Sequence, residues 1–304
     1  MDGKKSTKSK KLSNTTEAQD IYALQEKYTE HSISYKYSTF DELKEQGEYN
    51  FFGIIYDASF PQEEPNFAEG QQKKYSVKYS CILKLIDQTT NYLTNPNDFN
   101  DKIIYLIIKS NEKENIPFVH YIGDIIRIQR GFYSPKNKRN VYLNKGNWCL
   151  YHSDTNTNEP YSCNNKKFEV EKQDKDNLEG LKGWVKSYIN IDKSLKYPLQ
   201  IKLGQRLQEG NDKDLMVHVV KKVETNDHLI LFIQDETDGC ELHTYKYYNF
   251  IQENDIIRVR SYKIFDNNNL VINEFGNILI VPNNSSCSKV VFNELTKKLK
   301  NIKE

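Results

Sequence analysis

The chain has 304 residues, enough for two domains of ordinary size, and 37% of them are hydrophobic, so each domain can have a modest core. The formal net charge of +1 excludes a uniformly basic binding surface, so any nucleic-acid site must be a local groove. No apolar run approaches the roughly 18 residues of a membrane span. Five cysteines without a CxxC pair indicate free thiols in a reducing compartment.

The first half of the chain predicts a tail followed by an all-β domain. Residues 1–34 are polar and rich in lysine near the start, which predicts a disordered basic tail. Residues 35–155 contain short apolar stretches separated by polar loops, which predict a small five-stranded Greek-key barrel. The predicted strands cover 51–56, 79–86, 103–108, 125–129 and 148–151, with a hairpin turn at 134–137.

The second half predicts a helical connection and another barrel. Between residues 156 and 212, Leu178, Leu181, Trp184, Val185 and Tyr188 have helical spacing, which predicts an amphipathic helix that joins the barrels. Residues 213–304 then repeat the strand pattern and end in a predicted closing helix over 289–300. The predicted strands of this domain begin near residues 215, 229, 240, 255 and 270.

A repeated motif supports the duplication. The segment from Asp124 to Arg127 (Asp-Ile-Ile-Arg) returns from Asp255 to Arg258, and upstream of each copy an apolar strand ends in Asp. Alternate side chains of a strand share a face, so the isoleucines are expected to pack inward while Arg127, Arg258 and Arg260 lie on an outer face. The two aspartates start their strands and are expected to accept backbone N–H bonds.

The sequence lacks the motifs of an enzyme. It contains no nucleophile–base pair, P-loop, dinucleotide fingerprint or zinc-protease motif, and its six histidines have no metal-ligand spacing. We therefore predict no catalytic residue, no metal site and no cofactor.

Aromatic residues beside basic ones instead predict binding of a single strand. Tyr133 lies near Lys136, Tyr142 lies near Lys145, and His243 and Tyr245 cluster in the second half. Bases stack on aromatic faces for about 1–3 kcal/mol each, while Lys and Arg follow the phosphates. The competing interpretation of each tyrosine is cross-strand packing.

Several segments occur in the order known from one family. They are 54–61 (Ile-Ile-Tyr-Asp-Ala-Ser-Phe-Pro), 79–84 (Tyr-Ser-Cys-Ile-Leu-Lys), the strand from Gly123 to Arg130, the helix with Trp184 and the strand from Asp255 to Ser261. In this order they resemble the alpha subunit of ciliate telomere end-binding proteins, within the protection-of-telomeres family. The resemblance covers about residues 35–300.

The resemblance implies an all-β protein of two oligonucleotide/oligosaccharide-binding (OB) barrels. It implies that the G-rich single-stranded 3′ overhang of telomeres lies in a groove across both barrels, which caps the chromosome end and limits telomerase access in the nucleus. Other telomere or telomerase proteins are further candidate partners. The ciliate alpha subunit carries a third barrel that this chain lacks, so a short paralogue and a truncated chain both remain open.

The resemblance also assigns residues. Asp57 and Phe60 are expected at the groove edge, where a carboxylate suits the N–H donors of guanine. Lys109 stands where relatives often have an aromatic, and Tyr133 and Tyr142 compete for one stacking role. The complete predicted DNA-binding set is Asp57, Phe60, Lys109, Arg130, Tyr133, Lys136, Tyr142, His243, Tyr245, Arg260 and Phe275.

Two other functions compete with this prediction. A general single-strand binder of the replication type would show little preference for G-rich sequence. An assembly subunit of a telomere or telomerase complex would use its barrels mainly to hold protein partners. An OB-containing RNA enzyme is disfavoured by the missing catalytic set.

Overall fold

The structure of the protein is a computed structural model. It describes residues 36–59, 61–63, 78–90, 102–136, 139–165, 172–191, 200–205, 213–266 and 269–281. The predicted tail, the predicted closing helix and Phe60 lie outside the described residues, and the side chain of Phe275 is also not among them.

The five strands predicted for the first barrel are all present, and three short strands accompany them. Its strands are β1 (Gly47–Ala58), β2 (Gln62–Glu63), β3 (Tyr79–Ile86), β4 (Ile104–Ser110), β5 (Ile125–Ser134), β6 (Asn140–Leu143), β7 (Asn147–Tyr151) and β8 (Ser162–Cys163). β1 pairs with β3, β3 with β4, β4 with β6 and β6 with β5, and β5 returns to β1. β6 and β7 act as one interrupted fifth strand, so the barrel closes with Greek-key order.

The second barrel follows the helix α1 (Lys172–Ile191) and repeats this topology. Its strands are β9 (Gln200–Ile201), β10 (Asp214–Glu224), β11 (His228–Gln234), β12 (Gly239–Tyr245), β13 (Ile256–Phe265) and β14 (Asn269–Val281). β11 pairs with β12, β12 with β14, β14 with β13, and β13 with β10, which closes on β11. The predicted fold class, two five-stranded OB barrels with a helix between them along the chain, is confirmed.

In each barrel, one aspartate accepts a backbone hydrogen bond at an equivalent point. Asp87 accepts a hydrogen bond from the backbone N–H of Phe40 at 2.7 Å, and Asp235 accepts one from Leu203 at 2.6 Å. Each donor belongs to a short 3₁₀ helix that precedes the first long strand of its barrel, β1 or β10, and each is buried. The duplication therefore includes the short 3₁₀ helix bound by the aspartate as well as the strands.

A bulge at the same place in both barrels reverses the alternation. Arg130 in β5 and Ser261 in β13 have φ of 62° and 55°, and the strand register shifts beside each of them. An extra residue in a strand moves the following side chains to the opposite face. Tyr133 and Tyr262 consequently pack into the barrel cores.

The outer face that carries the repeated arginine is covered in both barrels. Arg127 lies under α1, where its Nη1 is 2.8 Å from Oδ2 of Asp174, and both side chains are almost fully buried. Arg258 lies under the first barrel, 2.7 Å from Asp57. The expectation that these arginines present an open face was wrong, because other elements of the chain pack over them.

The helix packs on the first barrel as its pattern predicts. Leu178, Leu181 and Val185 are buried against Phe52 and Ile125, and Trp184 packs at the edge of the same cluster. The helix begins at Lys172, six residues before Leu178, the first residue of the predicted helical spacing. Its first turn supplies Asp174, so the extra residues account for the ion pair with the barrel.

The two barrels make a continuous junction. Met216, Leu279 and Val281 of the second barrel are buried in the core cluster of the first. Ile280 also exchanges backbone hydrogen bonds with the 120–122 segment, donating to His120 and accepting from Ile122, both at 2.9 Å. Apolar burial and strand-like pairing therefore both connect the barrels.

Candidate nucleic-acid interface

The outer face of β3, β4 and β6 is a half-exposed platform on the first barrel. Alternate residues of these strands point away from the core, and the register sets Ile82 opposite Ile107 and Ile107 opposite Tyr142. Ile82 is 46% exposed, and Ile107 and Tyr142 beside it are partly exposed. The OB fold binds oligonucleotides on this face, so the platform is the candidate site.

Polar and basic groups flank the platform on two sides. One row of the register joins Lys84, Tyr105 and Asn140, and Lys109 pairs with Ser80 on the other side. The Lys84 side chain is 38% exposed and its Nζ is 3.1 Å from Asp57. An apolar strip between cationic rows suits a strand whose bases stack while its phosphates meet ammonium groups.

The second barrel presents the equivalent face with more aromatic rings. Ile230 lies opposite His243 and His228 opposite Tyr245 on the outer sides of β11 and β12. His243 stacks on His228 with ring centroids 5.5 Å apart and meets the edge of Phe265 at 4.7 Å. Tyr245 takes the position that Lys109 has in the first barrel, so the two faces differ in chemistry at a matched site.

The two competing tyrosines of the first barrel have different surroundings. Tyr133 is 5% exposed and belongs to the core, where its ring meets Tyr49 edge-on at 6.3 Å. Tyr142 is half-buried on the platform, beside Asn140, whose Nδ2 donates to the tyrosine hydroxyl at 3.4 Å. Geometry therefore favours Tyr142 as the stacking residue.

Two basic residues of the predicted set lie near the β5–β6 hairpin. Arg130 occupies the bulge, where its Nε is 3.2 Å from Glu48 and its backbone N–H donates to the Asn50 side chain. Lys136 is exposed in the turn. The ion pair holds the Arg130 guanidinium against Glu48 of β1.

Asp57 and Arg260 form part of a buried charge cluster at the junction. Arg260 makes two short contacts with Asp214, at 2.7 and 2.8 Å, and its Nη1 is 3.1 Å from both oxygens of Asp57. Burial alone would raise the pKa of the Asp57 carboxyl, but the charges of Arg258, Arg260 and Lys84 outweigh it and hold that pKa below the usual range. The base-contacting role of Asp57 stays a prediction, since in this structure its oxygens face cations.

In the second barrel, Tyr245 is 45% exposed and its ring stacks on that of Tyr247 at 5.1 Å with an interplanar angle of 15°. His243 is held by Glu241, with 3.0 Å between Nε2 and the carboxylate. Phe275 belongs to β14, where the strand departs from its pairing with β13 between Ile272 and Asn277. The DNA-binding role of Phe275 stays a prediction, as does the groove-edge position of Phe60.

Sequence reasoning missed several residues of these faces. Ile82, Tyr105 and Ile107 in the first barrel and Phe232 in the second were interpreted only as strand residues, and Phe265 lay between the predicted strands. Phe232 carries the ammonium of Lys221 over its ring at 5.7 Å. Strand alternation counted back from Asp87 and Asp235 would have found the outward positions, because both aspartates mark the end of the second principal strand.

A row of aromatic rings crosses the junction between the barrels. His120 of the first barrel stacks on Phe250 of the second at 3.9 Å and on Tyr161 at 4.9 Å. Burial, with the neighbouring His152, lowers the pKa of His120 to about 4. His152 is 3.2 Å from Asp124, and the carboxylate raises the pKa of His152 although burial opposes it.

The described residues contain no cluster of three or more His, Cys, Asp or Glu side chains that could hold a metal ion. Within the same ranges, no helix combines the length and apolar character that crossing a membrane takes. As predicted, Asp124 and Asp255 accept backbone N–H bonds, from Tyr121 and Gln252.

A family model described as telomeric single-stranded DNA binding POT1/CDC13 matches residues 31–195, which is more than half of the chain. The chain belongs to this family. The match covers the first barrel and the helix that packs on it. The POT1/CDC13 family is defined by DNA binding and not by a catalysed reaction, and the predicted relationship to telomere end-binding proteins is confirmed.

Relatives in ciliates extend the similarity into the second barrel. A telomere-binding protein homolog of Euplotes crassus is 25% identical over 252 residues, covering 76% of this chain and 52% of the relative. The telomere-binding protein 51 kDa subunit of the same organism is 23% identical over 273 residues, covering 81% and 58%. The chain thus spans about half the length of the curated relatives it matches.

Among solved structures, the crystal structure of fission yeast Pot1 with ssDNA is 12% identical, with a TM-score of 0.39, and covers 93% of this chain and 99% of that one. A replication protein A heterotrimer bound to ssDNA is 10% identical with a TM-score of 0.37, covering 82% and 52%.

Proposed function

We propose that this chain binds the G-rich single-stranded 3′ overhang of telomeric DNA across the outer faces of both barrels. Membership of the POT1/CDC13 family supports the ligand class. The platform of Ile82, Ile107 and Tyr142, flanked by Lys84 and Lys109, is the observation that carries the proposal. Its half-exposed apolar strip suits unpaired bases, and its lysines suit the phosphates.

Binding at this site would protect the end and limit access of telomerase, in the nucleus and at telomeres. The chain would act without catalysis, and other telomere or telomerase proteins would be its partners. We further propose that the functional units follow the boundaries 1–34 for the tail, 35–155 for the first barrel, 156–212 for the linker and 213–304 for the second barrel.

The test is fluorescence anisotropy at two salt concentrations. The ligands are a G-rich telomeric oligonucleotide with a free 3′ end, its C-rich complement, the duplex, and the same G-rich stretch inside a longer strand. We expect tight binding to the free G-rich end with a shallow salt dependence, because stacking contributes more than phosphate contacts. Equal binding to every single strand would indicate a general binder, and no binding would favour a protein-assembly role.

A pair of tyrosine variants tests the site itself. Tyr142→Ala removes the ring from the platform and is expected to cost about 1–3 kcal/mol of binding free energy with little loss of stability. Tyr133→Phe is the control, since it keeps the buried ring in the core and should leave affinity unchanged. Wild-type affinity in Tyr142→Ala would remove this face from the proposed site.

A further inference from the structure

The barrel junction contains a compact cluster of charged side chains. Asp57 and Lys84 come from the first barrel, and Asp214, Arg258 and Arg260 from the second. Asp57 is 2.7 Å from Arg258, 3.1 Å from Arg260 and 3.1 Å from Lys84. Asp57, Asp214 and Arg258 are buried, whereas Arg260 and Lys84 keep 30% and 38% of their side-chain surface exposed. The exposed edge of the cluster therefore adjoins the platform.

Such a cluster contributes more to the relative orientation of the two barrels than to the free energy of unfolding. The attraction within a buried ion pair is roughly equal to the free energy needed to desolvate its two charges. The apolar contacts of Met216, Leu279 and Val281 already hold the barrels together, but apolar burial has no preferred direction. A planar guanidinium that meets carboxylates through several N–H groups accepts only a narrow range of geometries. The Asp57 contacts therefore select one angle between the barrels.

Other polar contacts across the junction hold the two barrels in the same relative orientation. The side-chain amide of Asn277 donates to the carbonyl of Ala58, the residue after Asp57, at 2.7 Å. The backbone pairing of Ile280 with the 120–122 segment supplies a separate attachment. Asp57 contacts both arginines and Lys84, so it connects this junction to the row of the platform that contains Lys84 and Tyr105.

We propose that Asp57 is a positioning residue that aligns the two binding faces so that one strand can engage both. This inference rests on the proposed function. Asp57 acts through Arg258 and Arg260, and its carboxylate is used by the protein instead of by a base. A ligand long enough to reach both barrels gains from their fixed geometry, whereas a ligand that occupies one barrel does not.

The test compares two isosteric variants against oligonucleotides of two lengths. Asp57→Asn removes the carboxylate charge at the junction, and Asp174→Asn removes the equivalent charge under α1, where no second barrel lies. The ligands are G-rich strands of roughly 5 and roughly 12 nucleotides, chosen to cover one barrel or both. We expect Asp57→Asn to bind the long strand about tenfold to hundredfold more weakly and the short strand within about twofold of wild type. Asp174→Asn should bind both strands like wild type.

Other results would overturn the inference. If Asp57→Asn weakens the short strand as much as the long one, the carboxylate contacts a base directly. If it leaves both unchanged, the junction does not need the charge. If the wild-type protein binds neither strand, the proposed function itself is refuted. This result is obtained before any variant is made.

A second variant and a structural readout keep the test valid if Asp57→Asn folds poorly. Arg258→Lys keeps the positive charge but loses the planar group, and Arg258 is fully buried, so it cannot touch the ligand directly. Small-angle scattering should report a wider spread of barrel orientations for Asp57→Asn and Arg258→Lys than for Asp174→Asn. An unchanged orientation together with lost affinity for the long strand would contradict positioning.

Discussion

Arg127 and Arg258 hold the same place in the repeated strand, yet they face different partners. Arg127 pairs with Asp174 of the helix that lies on its own barrel, while Arg258 pairs with Asp57 of the other barrel. The repeat thus specifies the strand and its outward guanidinium, but the element that covers it is supplied by a distant part of the chain. The equivalent outer face packs against the helix in the first barrel and against the other barrel in the second.

The surroundings of the two ion pairs differ in the same way. Asp174 meets the hydroxyl of Tyr37 at 2.6 Å as well as Arg127. Asp57 meets three cations, Arg258, Arg260 and Lys84. A carboxylate with several charged partners retains some compensation when one of them is removed, so the two sites should respond unequally to matched substitutions.

Loss of Arg127 is expected to have the largest effect. Arg127→Ala would leave the buried Asp174 carboxylate without its guanidinium and should cost about 3–5 kcal/mol in the free energy of unfolding. Arg258→Ala should cost less, since Arg260 and Lys84 still face Asp57. Denaturant titration followed by tryptophan fluorescence and circular dichroism measures both. A larger loss for Arg258→Ala would show that compensation within the cluster is weak.

A smaller, pH-dependent effect is expected from His120, which lies only at the junction and not under the helix. Its folded pKa of about 4 is below the unfolded value of about 6.5, so above pH 6.5 both states are neutral and its stabilising contribution is complete. As the pH falls from 6.5 to about 4, the unfolded state binds a proton and about 1–3 kcal/mol is lost.

The control for His120 is His120→Phe, which keeps a ring between Phe250 and Tyr161 but cannot titrate. His152 and Asp124 are present in both proteins, so the difference between the two stability profiles reports His120 together with its coupling to His152. If the two stability profiles are parallel between pH 6.5 and 4, folding does not lower the pKa of His120.

The smallest effect is expected at the exposed edge of the cluster. Lys84→Met removes a cation that is 38% exposed, so the free energy of unfolding should fall by less than about 1 kcal/mol. If Lys84 also meets a phosphate, the salt dependence of DNA binding should weaken by about one charge. Lys136→Met, in the exposed hairpin turn, is a comparison for stability. If the salt dependence of DNA binding is unchanged in Lys84→Met, Lys84 contacts Asp57 but no phosphate.

Local patterns predicted most of the fold. Period-two burial in β4 and β11 and helical spacing from Leu178 to Val185 are properties of neighbouring residues, and both were correctly interpreted. Partners far along the chain could not be inferred, since Arg127 and Asp174 are 47 positions apart and Asp57 and Arg258 are 201 apart. The open arginine face was therefore predicted where a covered one exists.

The direction in which Tyr133 points depends on a backbone feature that the sequence does not reveal. Regular alternation from Ile126 and Ile128 would turn Tyr133 outward, but the bulge at Arg130 turns it into the core. An arginine with positive φ has no clear sequence signal, because this conformation is more typical of Gly and Asn. Tyr142 lies on β6, beyond the hairpin, where no bulge intervenes.

The 201-residue separation of Asp57 and Arg258 has a consequence during synthesis. At about 5–20 residues per second, a ribosome needs roughly 10–40 s to produce the arginine after the aspartate. During that time the first barrel can fold, but the surface that will meet the second barrel is bare and carries a carboxylate without its arginines. Nascent chains of this protein should therefore need protection at that surface until the second barrel emerges, and slowed translation of β13 should increase their aggregation.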